Sequence, residues 1–479
     1  VPPPSEYRIL DKDLTRLTHA EQAQVHAFQP VWRLGLGLIV AVAGLLVFMS
    51  FQSGVDQNIA ISAAVVVAVW LGLAIGSNDV ANSLGPAVGA GAIGVLPGLF
   101  LVAMAELAGA SLGGGAVTQR LAGGIFNLDM APSAFHLQVL MLGALIGAAS
   151  WITLATGIGL PVSTSHSIVG AISGASVAAM GVFAVKWSVL ASIASAWVVS
   201  PLIAAGLAGG VLILITLRVA QADNREAAAL RWIPALVGVM VGLFGIYLSL
   251  LISRRLDVPL VSMQVASLLI AGPAAWAMRR RLVAEFSRIQ SRPRLKHLFR
   301  PPLVVAVVIM AFAHGANDVG NVAGPLSVIL PTGAPHGASQ VPIWVLAGAG
   351  LAIALGTLLF GRRLVVMVGS GITRLNPVRA FCVSLATAAT VLIASGAGLP
   401  VSTTHVAVGG IFGVGFAREW LDRQSDRQRD ALPIEERRRR RLIRRSHVAT
   451  MTAAWLVTVP VTALLGGVAY LLVAAANGL

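Results

Sequence analysis

Apolar runs of about 18 residues or more recur from Val31 almost to the C-terminus, each long enough to cross ~30 Å of hydrocarbon as a helix. In that solvent a backbone N–H or C=O finds no water, so only structures that satisfy these groups internally can span it. The runs are continuous and lack the polar–apolar alternation of lipid-facing strands, which selects helices over a barrel. Composition agrees, with 57% hydrophobic and 11% charged residues, against roughly 25% charged in a soluble domain. The reading is an all-α polytopic membrane protein with about 11–13 membrane segments, some of them broken helices or re-entrant hairpins.

The formal net charge of +15 does not describe a nucleic-acid surface, because the basic residues are not spread over a soluble face. Residues 279–300 and 418–447, the latter containing "ERRRRRLIRR", hold more than half of all Lys and Arg, and apolar spans flank both. Under the positive-inside rule they read as cytoplasmic loops. Residues 1–30 form a polar tail in which "THAE" at 18–21 can cap a short helix. The run at 31–51 is too long for a signal-peptide core and reads as an extra N-terminal transmembrane helix. The loop "FQSGVDQN" at 51–58 has no Lys or Arg and suits an external position, which by parity returns the tail to the cytoplasm. With one cysteine, Cys382, no intrachain disulfide is possible.

Laid against itself, the chain is duplicated. "GSNDVANSLGP" at 76–86 matches "GANDVGNVAGP" at 315–325, and "GLPVSTSH" at 159–166 matches "GLPVSTTH" at 398–405, all at a shift of 239 residues. Gly/Pro-interrupted apolar segments at corresponding places in two halves are the pattern of a secondary transporter, with a midplane site between repeats that are often inverted. The expected organisation is tail (1–30), extra helix (31–51), first transport repeat (59–217), linking spans with the first basic loop (218–300), core of the second repeat (301–417), second basic loop (418–447) and C-terminal transmembrane helix (448–475).

In each hydroxyl run, proline suits the first turn of a helix because it has no N–H to leave unpaired, so Pro161 and Pro400 predict the start of a new half-helix. The exposed N–H groups and the dipole make such a terminus an anion site. Ser163, Thr164, Ser165, Ser402, Thr403 and Thr404 add six hydroxyls able to replace the water around a tetrahedral oxyanion.

An aspartate inside an apolar stretch costs roughly 2.5–3.5 kcal/mol on insertion scales, so Asp79 and Asp318 are expected to face a cavity and be compensated. No Lys or Arg is near either in sequence, which points to a bound cation or proton, with Asn78, Asn82, Asn317 and Asn321 supplying neutral oxygens suited to Na+. Gly76, Gly85 and Gly315 predict broken helix here, so loop carbonyls are further candidate ligands. Moving a dianion into an inside-negative cell costs about 4.6 kcal/mol per 100 mV, which two co-transported cations offset, and two carboxylates supply two sites. His166 and His405 are read as hydrogen-bonding locks on the hydroxyl turns, with proton relay as the alternative. Glu106 has no acidic counterpart, since Val345 stands 239 residues on, and is a candidate for pairing in the bundle or tuning ion binding. His314 faces Ile75 in the other copy and is given no role.

At these residues the chain resembles the inorganic phosphate transporter (PiT, or PHO4) family, whose members carry two GANDVANA-like and two PVSTTH-like motifs. The resemblance covers residues 59–217 and 301–475, with Ser77 and Gly320 replacing Ala and Ser165 standing where the second copy has Thr404. It implies a homodimeric, inverted-repeat symporter of the plasma (inner) membrane importing phosphate with Na+ or H+, in some bacterial members as a neutral metal–phosphate complex, without an enzyme cofactor. It implies anion positions at Ser163 to Ser165, Ser402 to Thr404, Asn78 and Asn317. Cation positions fall at Asp79, Asp318, Asn82 and Asn321, and Glu106 matches a family acid. Sulfate permeases are similar to this family and supply the second substrate; phosphate is favoured because it can donate a proton to a carboxylate where ionised sulfate cannot. Two other classes compete: an intramembrane serine hydrolase pairing Ser163 with His166 or Ser402 with His405, and an anion channel.

Overall fold

The computed structural model describes residues 57–157, 162–256, 259–288, 295–330, 341–371, 375–426 and 445–479. The tail, the helix expected at 31–51, most of the loop at 51–58, Gly159 to Pro161 of the first hydroxyl run, and the centres of both basic segments lie outside these residues. Among the described residues the chain is helical throughout, without strands, and nine helices are long and apolar enough to cross a membrane. Twelve helices define the architecture: α1 (Gln57–Gly89), α2 (Val95–Gly113), α3 (Ala134–Gly157), α4 (Thr164–Met180), α5 (Trp187–Ile215), α6 (Arg225–Leu256), α7 (Leu260–Arg288), α8 (Arg300–Ile329), α9 (Ile343–Gly371), α10 (Pro377–Gly396), α11 (Thr403–Asp426) and α12 (Arg445–Ala476).

The halves interlock. In the first, α1 packs on α9 and α4 on α12; in the second, α8 packs on α2 and α11 on α5. These seams are closed by small residues, which let helix backbones touch where no hydrophobic effect drives association. A methyl group on Gly76 would overlap the Ile353 carbonyl oxygen, and one on Gly315 that of Glu106; at the second seam Gly174 meets the Ala463 carbonyl and Gly413 that of Ala205. Gly76 and Gly315, like Gly174 and Gly413, are 239 residues apart. The linking helices α6 and α7 pack mainly against each other.

This use of glycine corrects the expectation of broken helix at the two "ND" motifs. Both α1 and α8 run unbroken through them, with Pro86 and Pro325 inside the helices. Glycine there serves close approach rather than a break. The breaks fall at the hydroxyl runs, between α3 and α4 and between α10 and α11.

Candidate functional site

Each hydroxyl run is a helix start. The Ser163 side chain accepts from the His166 N–H at 3.2 Å, and the Ser402 side chain from the His405 N–H at 3.3 Å, so both serines act as N-caps. Pro400 therefore stands two residues before its cap, outside the helix rather than in its first turn; Val401 and Ser402 intervene. Pro161 lies outside the described residues.

The starts meet α1 and α8 in the interior. On α1, Asp79 Oδ2 accepts from Thr164 Oγ1 at 3.2 Å, while Oδ1 accepts from Thr404 Oγ1 at 3.3 Å, Asn78 Nδ2 at 3.1 Å and Asn82 Nδ2 at 3.3 Å. One carboxylate thus joins hydroxyls from both runs, and Asn82 Nδ2 also reaches Thr404 Oγ1 at 2.8 Å. On α8, Asn317 Nδ2 donates to Asp318 Oδ1 and, at 2.7 Å, to the Val401 carbonyl. Asn317 Oδ1 accepts from the Val401 N–H at 3.2 Å and from Ser395 Oγ at 3.4 Å. Ser165 Oγ crosses to the same Val401 carbonyl at 2.9 Å. Ser163 to His166, Ser402, Thr403, His405, Asp79, Asn317, Asp318 and Asn321 are all buried, and Asn78, Asn82 and Thr404 partly so.

An imidazole lies between the two aspartates. His314, one helical turn before Asp318, places Nε2 2.8 Å from Asp318 Oδ2 and 3.7 Å from Asp79 Oδ2, and Nδ1 2.8 Å from Glu106 Oε1. Thr357 Oγ1 contacts Glu106 Oε2 at 2.7 Å and the Gly76 carbonyl at 3.2 Å. Glu106 therefore pairs inside the bundle. The residue occupying its place at the matching seam is Ile353, opposite Gly76, rather than Val345, because the segment between α8 and α9 is longer than that between α1 and α2.

Sequence reasoning passed over His314, although the i, i+4 spacing to Asp318 was a usable signal. Thr357, Ser395 and the Val401 carbonyl were passed over as well, although Thr118, Thr156 and Val162 stand 239 residues before them. The backbone N–H groups of His166 and His405 bond the Ser163 and Ser402 caps. The rings of His166 and His405 pack tilted against each other at 4.6 Å between centroids, and His166 packs tilted on Trp197 at 3.7 Å. Trp197 Nε1 donates to the Pro400 carbonyl at 2.9 Å, fixing the second run from α5. Arg120 Nε donates to the Gly398 carbonyl at 3.3 Å, which brings one guanidinium to the first residue of the second run.

Asn82 and Asn321, equivalent in sequence, differ in bonding. Both amide atoms of Asn321 are buried without a hydrogen-bond partner among the described residues, while Asn82 is engaged. A buried amide left unpaired costs about 1–3 kcal/mol. Chemically, the site offers O–H donors from two helix starts beside three buried carboxylates, one imidazole and an uncommitted amide, a set that suits an oxyanion together with cations.

The sequence matches the family model described as "Phosphate transporter family" (PHO4) over residues 75–466. It is 34% identical to a Helicobacter pylori (strain ATCC 700392 / 26695) protein described as "Putative phosphate permease", over 96% of this chain and 98% of that one. It is 32% identical to "Inorganic phosphate transporter 2-1, chloroplastic" of Arabidopsis thaliana, over 89% of this chain and 75% of that one. Among solved structures it is similar to one described as "The sodium-dependent phosphate transporter", with a TM-score of 0.75 and 30% identity, covering 86% of this chain and 98% of that chain.

Proposed function

Given that this chain belongs to the phosphate transporter family, we propose that it imports inorganic phosphate by symport with Na+, through alternating access to one site that two inverted repeats share near the bilayer midplane. The family consists of transporters, which removes the serine hydrolase. The observation that carries the reading is the convergence on Asp79: Thr164 and Thr404, 240 residues apart in sequence and from the two hydroxyl runs, donate to its two oxygens. Phosphate entering between the helix starts takes over these donors along with Ser165 and Thr403, and Asn78 and Asn317 complete its shell. Asp79 and Asp318, with Asn82 and Asn321, hold the coupling cations.

The cluster sets three carboxyl groups against one imidazole, so bound cations favour the entry of a further anion. Na+ is preferred over H+ because the similar solved structure is described as sodium-dependent and because carboxylate and amide oxygens suit a hard ion. The reciprocal packing of α1 on α9 and α8 on α2, with its glycines 239 residues apart, supports the inverted repeats. The remaining expectations stand with this reading: a homodimer in the plasma membrane with both basic segments cytoplasmic.

Labelled phosphate uptake into proteoliposomes, under separately imposed Na+ and pH gradients with sulfate as competitor, tests it. Uptake against a gradient that follows Na+ and resists sulfate is expected. Uptake that follows only the pH gradient reassigns the cation, complete competition by sulfate reassigns the anion, and downhill flux alone makes the protein a channel.

A further inference from the structure

The cluster beneath the hydroxyl runs contains a ligand that sodium coordination does not call for. Asp79, His314 and Asp318 each offer one atom to a group lying within 4.8 Å of one another, and none of these residues is more than 1% exposed. Hard cations favour oxygen, whereas an imidazole nitrogen beside two carboxylates suits first-row divalent transition metals. We propose that Asp79, His314 and Asp318 form a binding site for a divalent transition-metal ion, and that such an ion competes there with the coupling cation.

Three features support the site. Ligand atoms about 2.0–2.1 Å from a tetrahedral ion sit roughly 3.3 Å apart. The observed His314–Asp318 and His314–Asp79 separations of 2.8 Å and 3.7 Å bracket that value, and all three ligand atoms lie within 4.8 Å of one another. Three protein ligands leave the fourth position to water or to a substrate oxygen.

Second, the imidazole is oriented as a metal ligand is. Its other nitrogen, Nδ1, meets Glu106 Oε1 at 2.8 Å, and Thr357 holds Glu106 in turn at 2.7 Å. A carboxylate on the far nitrogen fixes ring orientation and tautomer and raises the basicity of the ligating nitrogen.

Third, His314 Nε2 and Asp318 Oδ2 approach each other without hydrogen-bond geometry, so neither buried atom is satisfied by the other. An ion between them satisfies both, and its binding releases any proton they carry.

The competition half of the proposal rests on the transport reading, since it requires that the same aspartates hold Na+; the binding half does not. Co2+ serves as the probe, because nitrogen and oxygen ligands give it a visible absorption band. The full chain, purified in detergent, is titrated with Co2+ in the absence and presence of Na+. A band saturating near one ion per chain and diminished by Na+ is expected. Glu106→Gln is expected to weaken Co2+ binding about 10–100-fold, and His314→Gln to remove the saturable band, with elution volume and tryptophan fluorescence reporting the fold. A band that persists in folded His314→Gln arises elsewhere and overturns the site. If both variants misfold, the wild-type chain still decides: absence of a saturable band sinks the binding claim, and a band indifferent to Na+ sinks the competition claim. In proteoliposomes Mn2+ is expected to raise the Na+ concentration for half-maximal uptake. A chain that takes up no phosphate removes the transport function, while the Co2+ titration still reports the site.

Discussion

Asn82 and Asn321 show how a duplicated residue can serve two purposes. Asn82 is bonded to Asp79 and Thr404, whereas Asn321 is buried with an unpaired amide that costs about 1–3 kcal/mol. Replacing Asn321 with Leu is therefore expected to leave the melting temperature in detergent unchanged or raised while Na+-dependent phosphate uptake is lost. Asn82→Leu, by contrast, should lower both. A fall in melting temperature for Asn321→Leu equal to that for Asn82→Leu would show that Asn321 is bonded in the working protein. Arg120 gives a second expectation. Its guanidinium stands beside Gly398 on the approach to the second hydroxyl run, so Arg120→Gln should raise the KM for phosphate severalfold at low ionic strength with little change in maximal rate, and high salt should narrow the difference. If only the maximal rate changes, Arg120 acts as a tie for the loop. At this scale the sequence was a partial guide. Repetition picked out Asp79, Asp318 and the hydroxyls, because a duplicated polar residue in an apolar chain is conspicuous. His314 has Ile75 as its counterpart, and a search by repetition passes over it although with Thr357 it completes the buried network.

At the level of helices, glycine carried the ambiguity. The same residue breaks a helix or lets two backbones touch, and only the neighbouring element decides between these uses. Gly76 and Gly315 face the backbones of α9 and α2, which are remote in sequence, so the continuity of α1 and α8 was not legible. The hydroxyl breaks were legible because proline is a local signal of a helix start, although Ser163 and Ser402 are the residues that cap the new helices. The packing yields a direct test. Gly315→Ala forces a methyl group onto the Glu106 carbonyl and should destabilise the protein by about 1–3 kcal/mol. Gly115→Ala, with nothing within 4 Å of the added carbon, should be close to neutral. Thermal denaturation in detergent compares the two, and equal effects would contradict the tight seam.

Over the whole molecule, the native thiol is hidden: Cys382 is fully buried in α10. Membrane-impermeant thiol reagents are expected to leave wild-type uptake intact. With Cys382 replaced by Ala, a cysteine at Thr404 should react from both sides of the membrane, and phosphate with Na+ should slow the reaction. Labelling from one side only, under every condition, would contradict alternating access. The global plan was readable from apolar run length and the 239-residue shift, because both follow from the bilayer as solvent. What escaped was the crossing of partners between halves, since contact between α4 and α12 or α5 and α11 leaves no trace in residue spacing.

That crossing bears on how the chain can be made. Because the small-residue seams of each half are completed by backbone from the other, neither fragment owns a finished surface, and each synthesised alone presents raw carbonyl-lined furrows to lipid. Severing the chain between α6 and α7 and supplying the two pieces together should restore transport by complementation, whereas either piece by itself should be cleared by the cell's proteases.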